Sequence, residues 1–541
     1  MLGLSAFLAI FNNTKPTPSN MDLLYGDHVP MLPTGEPVIT VGIGSGWQVA
    51  RLRAEAQLNL KFYEGDQLKH ATVKAGQVVE VRVSHAIPAQ REAFVDFGAT
   101  PLDTLSKKID MWRSRGVENV TSRDEGVKLD LAGKVLDNRV QHVVATMASL
   151  NEAQSLSVQM NHQHGTKATV RERLSGRPSG ELSLVADSVV LGVAINYVHF
   201  TSDVPVEVLD VEFGAGYAWH GFENRKYWGE VYTAVDPDDL LAVVNTIGIE
   251  TLLQGVVPAE TFTNAAPEAL KAQAVAARNT VLAYLGHRHL DRPYHLCSDQ
   301  CCQVYAGTSR EDTRTNAAVQ ATRGETLFYG GHLVDTRYSS TCGGHTEDND
   351  AVWGDAPNPA LRGRPDFDDN SPELQPFARG LDSMNMAGFV GAQAPAFCAQ
   401  SPQTRLEKYR WQRTFERNDL SEVLSRNRLD LGALRDIVVQ QRGRGGRVIE
   451  LQLVGTKSSA TLTPELTIRR FFGNLNSAGF VVDAQRDAQG LLTQVTFNGA
   501  GWGHGVGMCQ LGAMGRATAG HTYAQILAYY YNDATLSLMY K

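Results

Sequence analysis

Short runs in which apolar and polar residues alternate dominate the first part of the chain: "VITVGIGS" from Val38, "VVEVRVSH" from Val78, "LSLVADSVVLGVAINYVHF" from Leu182 and "VEVLDVEF" from Val206. A period of two puts apolar side chains on one face of a pleated strand, so these runs predict strands. The chain holds 50 glycines among 541 residues, enough to supply many tight turns between such strands. "LDTLSKKIDMWRSRG", 102–116, breaks the pattern with helical spacing. Residues 37–235 therefore read as a β-rich domain with an α/β insertion. Ahead of it, the stretch 14–38 is rich in Pro, Thr, Ser and Asn, so residues 1–36 read as a leader or linker and order is expected from Pro37. No repeat of solenoid length is present.

The character changes at 236. "PDDLLAVVNTIGIETLLQGVVPAE" leads into "NAAPEALKAQAVAARNTVLAYLGHR", where Pro267 suits a first helical position and Gly286 a stop. Leu270, Ala274, Ala277, Val281 and Leu285 recur at three- and four-residue steps, making a small-residue stripe for close packing. A further helix is expected over "EKYRWQRTFERNDLSEVLSRN", 407–427, then a hairpin around 437–455, then a glycine-dense C-terminus with a helix from Gln510. Residues 236–541 form one domain on this reading, and the fold class is α+β.

The formal net charge of −8 and a pI near 6.0 exclude a nucleic-acid partner, which needs a clustered basic surface. The exception, "RGRGGR" at 442–447, lies between two β-like runs and reads as a hairpin loop. No stretch is apolar for the roughly 18 residues of a membrane span. The opening "MLGLSAFLAIFNNTKPTPSN" has neither a basic residue before its apolar run nor a clear cleavage site, so it makes a poor signal peptide.

Three of the six cysteines fall in "LCSDQCCQVYAG", 296–307. Neighbouring cysteines rarely meet the geometry of a disulfide with each other. A metal site, disulfides to distant partners, or buried thiols remain open on the residues alone. Glu260 precedes a helix and would serve there as a helix-start carboxylate. "RYSSTCGGHTED", 337–348, reads as an edge strand and turn, and Trp353 as a buried ring or a stacking platform. His504, set among glycines in "GWGHGVGMCQLGA", locks its loop or carries a proton.

Several of these stretches resemble, in order, the stage II sporulation protein D family, which includes the amidase-enhancer proteins. They are "LLQGVVPAE", "ALKAQAVAARNTVLAYL", "CQVYAG", "VQATRGETLFYGGHLVDTRYSSTCGGHTED", "VWG" and "GAGWGHGVGMCQLGAMGRATAG". The resemblance covers about 236–541. Upstream, "FVDFGATPLDTLSKKIDMWRSRG" resembles a glycan-binding repeat domain of the cell-division type.

This family resemblance implies a β-rich catalytic domain whose packed helices border a glycan groove, and a lytic transglycosylase acting on peptidoglycan strands stripped of stem peptides. Glu260 would be its acid and base. Tyr338, Ser339, Ser340, Gly343, Gly344, Trp353, His504 and Gln510 would bind substrate, the two glycines by letting a backbone approach the ligand. A structural zinc ion would sit on Cys297, Cys301, Cys302 and His295, with His287 or His289 as the alternative histidine and a disulfide to Cys342 as the alternative chemistry. No organic cofactor is implied. The implied partners are glycan strands and an amidase, and the implied location is extracytoplasmic. The rival from another class is a glycan-binding enhancer of an amidase without catalysis. A catalytic-zinc hydrolase is disfavoured, since no HExxH helix is present and a Cys₃His site leaves no open position.

Overall fold

The structure, a computed structural model, describes residues 20–26, 28–215, 220–354, 356–367, 371–392 and 395–541. It is α+β and divides into two compact units. The first comprises residues up to Glu260, Ala277–Thr326 and Ser537–Lys541; the second comprises Thr261–Ala276 and Leu327–Leu536.

The first unit is built on a seven-stranded and a six-stranded sheet. Strand Leu241–Gly248, buried along its whole length, pairs antiparallel with Val38–Trp47 on one side and Glu230–Val235 on the other. This is why the boundary expected between 235 and 236 is not a unit boundary: the segment beyond it is a central strand of the N-terminal sheet. The α/β insertion is a four-stranded antiparallel sheet in the order Thr169–Gly176, Gln90–Ala99, Val140–Met147, Val120–Glu125. Helices Leu102–Ser114 and Leu150–His164 complete a β-α-β-β-α-β unit around a core that includes Phe97, Trp112, Val143 and Met160.

The expected leader needs correction. Residues 1–19 lie outside the described residues, yet Asn20–Tyr25 is a short helix and Glu36 is buried. The Glu36 carboxylate accepts the Glu250 backbone N–H (2.9 Å) and pairs with Arg323. It satisfies a donor that a helix start leaves open, so order begins before Pro37.

Helix Pro267–Tyr284 starts on Pro267, and Gly286 follows it in the left-handed region (φ 74°). Residue Arg278, completely buried, grips Glu250 through Nε to Oε1 (2.8 Å) and Nη2 to Oε2 (2.7 Å). The Tyr540 hydroxyl (2.6 Å) and the Gly324 N–H (3.2 Å) also donate to Glu250.

The second unit carries two three-stranded sheets over one core that includes Phe415, Val448, Leu451, Phe480 and Phe497. The helix expected over 407–427 is overturned in its middle. Arg410–Glu416 is a strand, pairing along its length with Leu492–Ala500 and burying Trp411 and Phe415; only Arg417–Arg426 is the long helix. Trp411, Thr414 and Phe415 favour strands themselves, and the pairing with Leu492–Ala500 decides the stretch against the helical reading. The hairpin is found as Leu434–Arg442 and Val448–Gly455. Its turn is held by a carboxylate: the backbone N–H groups of Gly445 (2.8 Å) and Arg447 (3.1 Å) donate to Glu347, and Arg447 is buried.

Removing one partner of a buried ion pair strands the other charge. Arg278→Leu is expected to lower the unfolding free energy by about 3–5 kcal/mol, read from urea denaturation. Burial acts to raise the Glu250 carboxyl, but the Arg278 charge and the surrounding hydrogen bonds outweigh it and hold it below its ordinary value. Its stabilising contribution is present above that ordinary value and is lost as pH falls through the acid range.

Candidate functional site

Helix Ile249–Glu260 places Glu260 at its last position, half-buried. The helix dipole at that end gives a carboxylate no stabilisation, so the helix-start role open in the sequence does not apply. Upstream, "LLQG" can lie against "VYAG" because Gly255 has no side chain: a Cβ there would collide with Tyr305 and the Gly307 carbonyl. Beyond this close contact the chain brings the Val304 N–H onto Glu260 Oε1 at 2.6 Å. Gln303, buried next to Val304, donates to the Ala277 carbonyl (3.2 Å), fixing the loop from the other side.

The same loop holds the cysteine cluster. Cys297, Cys301, Cys302 and His289 bring their ligand atoms within 4.8 Å of one another. His289 Nε2 lies 3.3 Å from Cys302 Sγ and 3.9 Å from Cys301 Sγ. The Cys297 and Cys301 sulfurs meet, but their Cα atoms are 7.1 Å apart, outside the roughly 4.4–6.8 Å that disulfides span. The four donors that converge here are S and N atoms, the types zinc takes in structural sites. His295, the histidine first assigned to the set, is not in it: its Nδ1 is engaged by the Thr40 hydroxyl at 2.7 Å. The alternative, His289, takes its place, while His287 faces the Asn138 carbonyl (3.0 Å). Cys342 belongs to the second unit, where it neighbours Cys398.

In the second unit Tyr338–Ser339 pairs in parallel with Met508–Cys509. The Ser339 hydroxyl is buried and accepts the Gly505 N–H (3.1 Å), and the Ser340 carbonyl accepts the Leu511 N–H (3.1 Å). Gly343 (φ 76°) and Gly344 (φ 108°) do allow close approach, but of the protein itself: Ala500 and Gly501 fill the space at Gly343, and Phe389 that at Gly344. The room assigned to a ligand at these two positions is taken by the chain. Gly505 in turn leaves space for the Arg447 guanidinium.

His504 accepts the Val506 N–H at Nδ1 (3.1 Å) and bonds the Tyr338 backbone. Desolvation, then the Arg337 and Arg447 charges, push it down to about 3, so it is neutral near pH 7 and acts as a loop lock. Trp353 packs on it (ring centroids 5.1 Å apart) beneath the Arg337 guanidinium (4.8 Å). Gln510 donates to Gln273 (3.2 Å). Unforeseen in the sequence is Trp502, 36% exposed with Lys408 Nζ 4.5 Å above its ring, an aromatic surface that a sugar face can stack on. The tryptophan within "GAGWGHGVG" was its visible signal.

Residues 238–329 match the model of the stage II sporulation protein family, and residues 347–507 match a domain family of unknown function. An uncharacterized protein of Brachyspira hyodysenteriae is 26% identical over 346 residues, 64% of this chain and 80% of the relative. The amidase enhancer of Bacillus subtilis is 29% identical over 297 residues, 53% of this chain. Stage II sporulation protein D of the same organism is 27% identical over 308 residues, 54% of this chain and 76% of its own length. The chain spans only 40% of the amidase enhancer. By these matches the chain is similar to stage II sporulation protein D and the amidase enhancer, and the likeness to the family model is carried by residues 238–329.

Two outcomes are expected. In purified full-length protein His289→Ala lowers bound zinc and His295→Ala does not, as read by elemental analysis. Buried His345 donates Nδ1–H to the Thr346 carbonyl (2.7 Å), and desolvation pushes it down to about 4. A depressed folded value means stability is complete above the ordinary histidine value of about 6.5 and falls as pH drops toward 4, by up to ~1.4 kcal/mol per pH unit. Urea midpoints between pH 7.5 and 4.5 test this, and His345→Gln should flatten the slope.

Proposed function

We propose that this protein is a peptidoglycan lytic transglycosylase that cleaves glycan strands free of stem peptides, outside the cytoplasm, with Glu260 as acid and then base. The single observation supporting it is the Glu260 carboxyl itself. It is half-buried at a helix end, with one oxygen held by the Val304 N–H at 2.6 Å. A glycosidase normally needs two carboxylates, but one suffices when the nucleophile belongs to the substrate. Glu260 gives its proton to the glycosidic oxygen as the bond to the muramic acid anomeric carbon breaks. The C6 hydroxyl of that ring attacks the same carbon, its proximity replacing a positioned water. The Glu260 carboxylate takes the hydroxyl proton and is restored. One C–O bond breaks, one forms, and the product carries a 1,6-anhydro ring.

Support for the substrate class comes from the family, whose association is with peptidoglycan degradation. Within the second unit, taken by itself, Tyr338, Trp353, Trp502 and Gln510 are the side chains proposed to contact sugar. A zinc ion on Cys297, Cys301, Cys302 and His289 would supply structure and no chemistry: closed by four ligands, it would stiffen the turn that leads through Gln303 to Val304. The second reading, favoured by the named amidase enhancer among the relatives, is a glycan-binding stimulator of an amidase.

Glu260→Gln keeps an oxygen for Val304 but has no proton to give. With peptide-free glycan strands, wild type should release anhydro-muramic ends in mass spectrometry and Glu260→Gln should do so about 10²–10⁴-fold more slowly. Reducing ends in place of anhydro ends would mean hydrolysis. Binding without cleavage by either protein, together with amidase stimulation, would favour the enhancer.

A further inference from the structure

A second convergence of metal-binding side chains lies in the second unit, built from residues far apart in sequence. Cys342, Asp366, Cys398 and Cys509 bring one ligand atom each within 4.8 Å of one another. All four are buried, at 3%, 0%, 0% and 1% exposure respectively. Cys342 Sγ lies 3.8 Å from Cys398 Sγ and 3.3 Å from Asp366 Oδ2. Bonds of about 2.3 Å to sulfur and 2.0 Å to oxygen around a tetrahedral ion set S···S edges near 3.8 Å and S···O edges near 3.5 Å. The two distances match those edges without rearrangement.

The surroundings suit thiolates and a fixed carboxylate. Cys509 Sγ accepts the N–H groups of Cys342 (3.1 Å) and Gly512 (3.3 Å), and Cys342 Sγ accepts that of Gly344 (3.4 Å). Cys509 also caps helix Gln510–Thr518, where the dipole favours negative charge. Asp366 Oδ1 is occupied by the Tyr530 hydroxyl (2.7 Å) and Arg516 Nε (3.2 Å), which leaves Oδ2 for the sulfurs. Outer-shell partners of this kind orient a ligating carboxylate. Gly512 makes room for it, since a Cβ there would overlap Asp366 Oδ2. A Cys342–Cys398 disulfide would use only two of the four groups and give no role to Cys509 or to the aimed carboxylate.

We propose that Cys342, Cys398, Cys509 and Asp366 form a closed structural site for a thiophilic divalent cation, zinc, separate from the Cys297 cluster. Bound there, the ion would tie the "TCGGH" turn to the start of helix Gln510–Thr518, the stretches that follow the paired strands Tyr338–Ser339 and Met508–Cys509. The experiment is zinc counting on the purified full-length chain by elemental analysis and native mass spectrometry. In Cys302→Ser, with the first cluster broken, zinc should remain. Adding Cys398→Ser or, more gently, Asp366→Asn should remove one further zinc per chain. Cobalt loaded into Cys302→Ser should give intense thiolate-to-cobalt charge transfer with tetrahedral d–d bands. Zinc-free and cobalt-silent Cys302→Ser protein that is folded would overturn the proposal. So would a Cys342–Cys398 disulfide found by peptide mapping after alkylation of unreduced wild type.

Discussion

The ion pair between Arg278 and Glu250 is the constraint on which the rest of the first unit depends. A fully buried guanidinium is tolerated only when its charge and donors are met, and here Glu250 takes two of its nitrogens while the Glu325 (3.2 Å) and Val319 (3.4 Å) carbonyls take further bonds. Glu36 caps Glu250's own N–H, and Tyr540 donates to its carboxylate. Chain segments from both ends of the sequence thus meet at the start of helix Ile249–Glu260. Once that start is fixed, the rigid helix determines where its last residue, Glu260, must be.

At the other end of the helix, backbone and not side chains does the positioning. The missing Cβ of Gly255 lets the 305–307 turn come close, and the Val304 N–H then lands on the carboxylate. The cysteine cluster ends two residues before Val304, so the cluster and the N–H that holds Glu260 share one short loop. The second unit follows the same logic with different chemistry. Buried Glu347 satisfies the "RGRGGR" turn, Arg447 fills the space beside Gly505, and His504 is locked in neutral form. Residues that look like a sugar-binding array in the motif are in part the fastening of their own loops, Ser339 and Gly343 above all.

Sequence by itself determined the alternating strands from Val38 onward, the helix opened by Pro267 and closed before Gly286, and the 437–455 hairpin. These are local properties: period, turn chemistry and motif spacing are written in consecutive residues. Tertiary structure alone decided the rest. It made Arg410–Glu416 a strand because Leu492–Ala500 offers it a full ladder, and Leu241–Gly248 a central strand of a sheet begun 200 residues earlier. It chose His289 over His295 because Thr40 already holds the latter, and it gathered Cys342, Asp366, Cys398 and Cys509 from four distant segments. No periodicity or spacing records such meetings, because which side chains share a ligand point depends on how distant segments pack and not on their order along the chain.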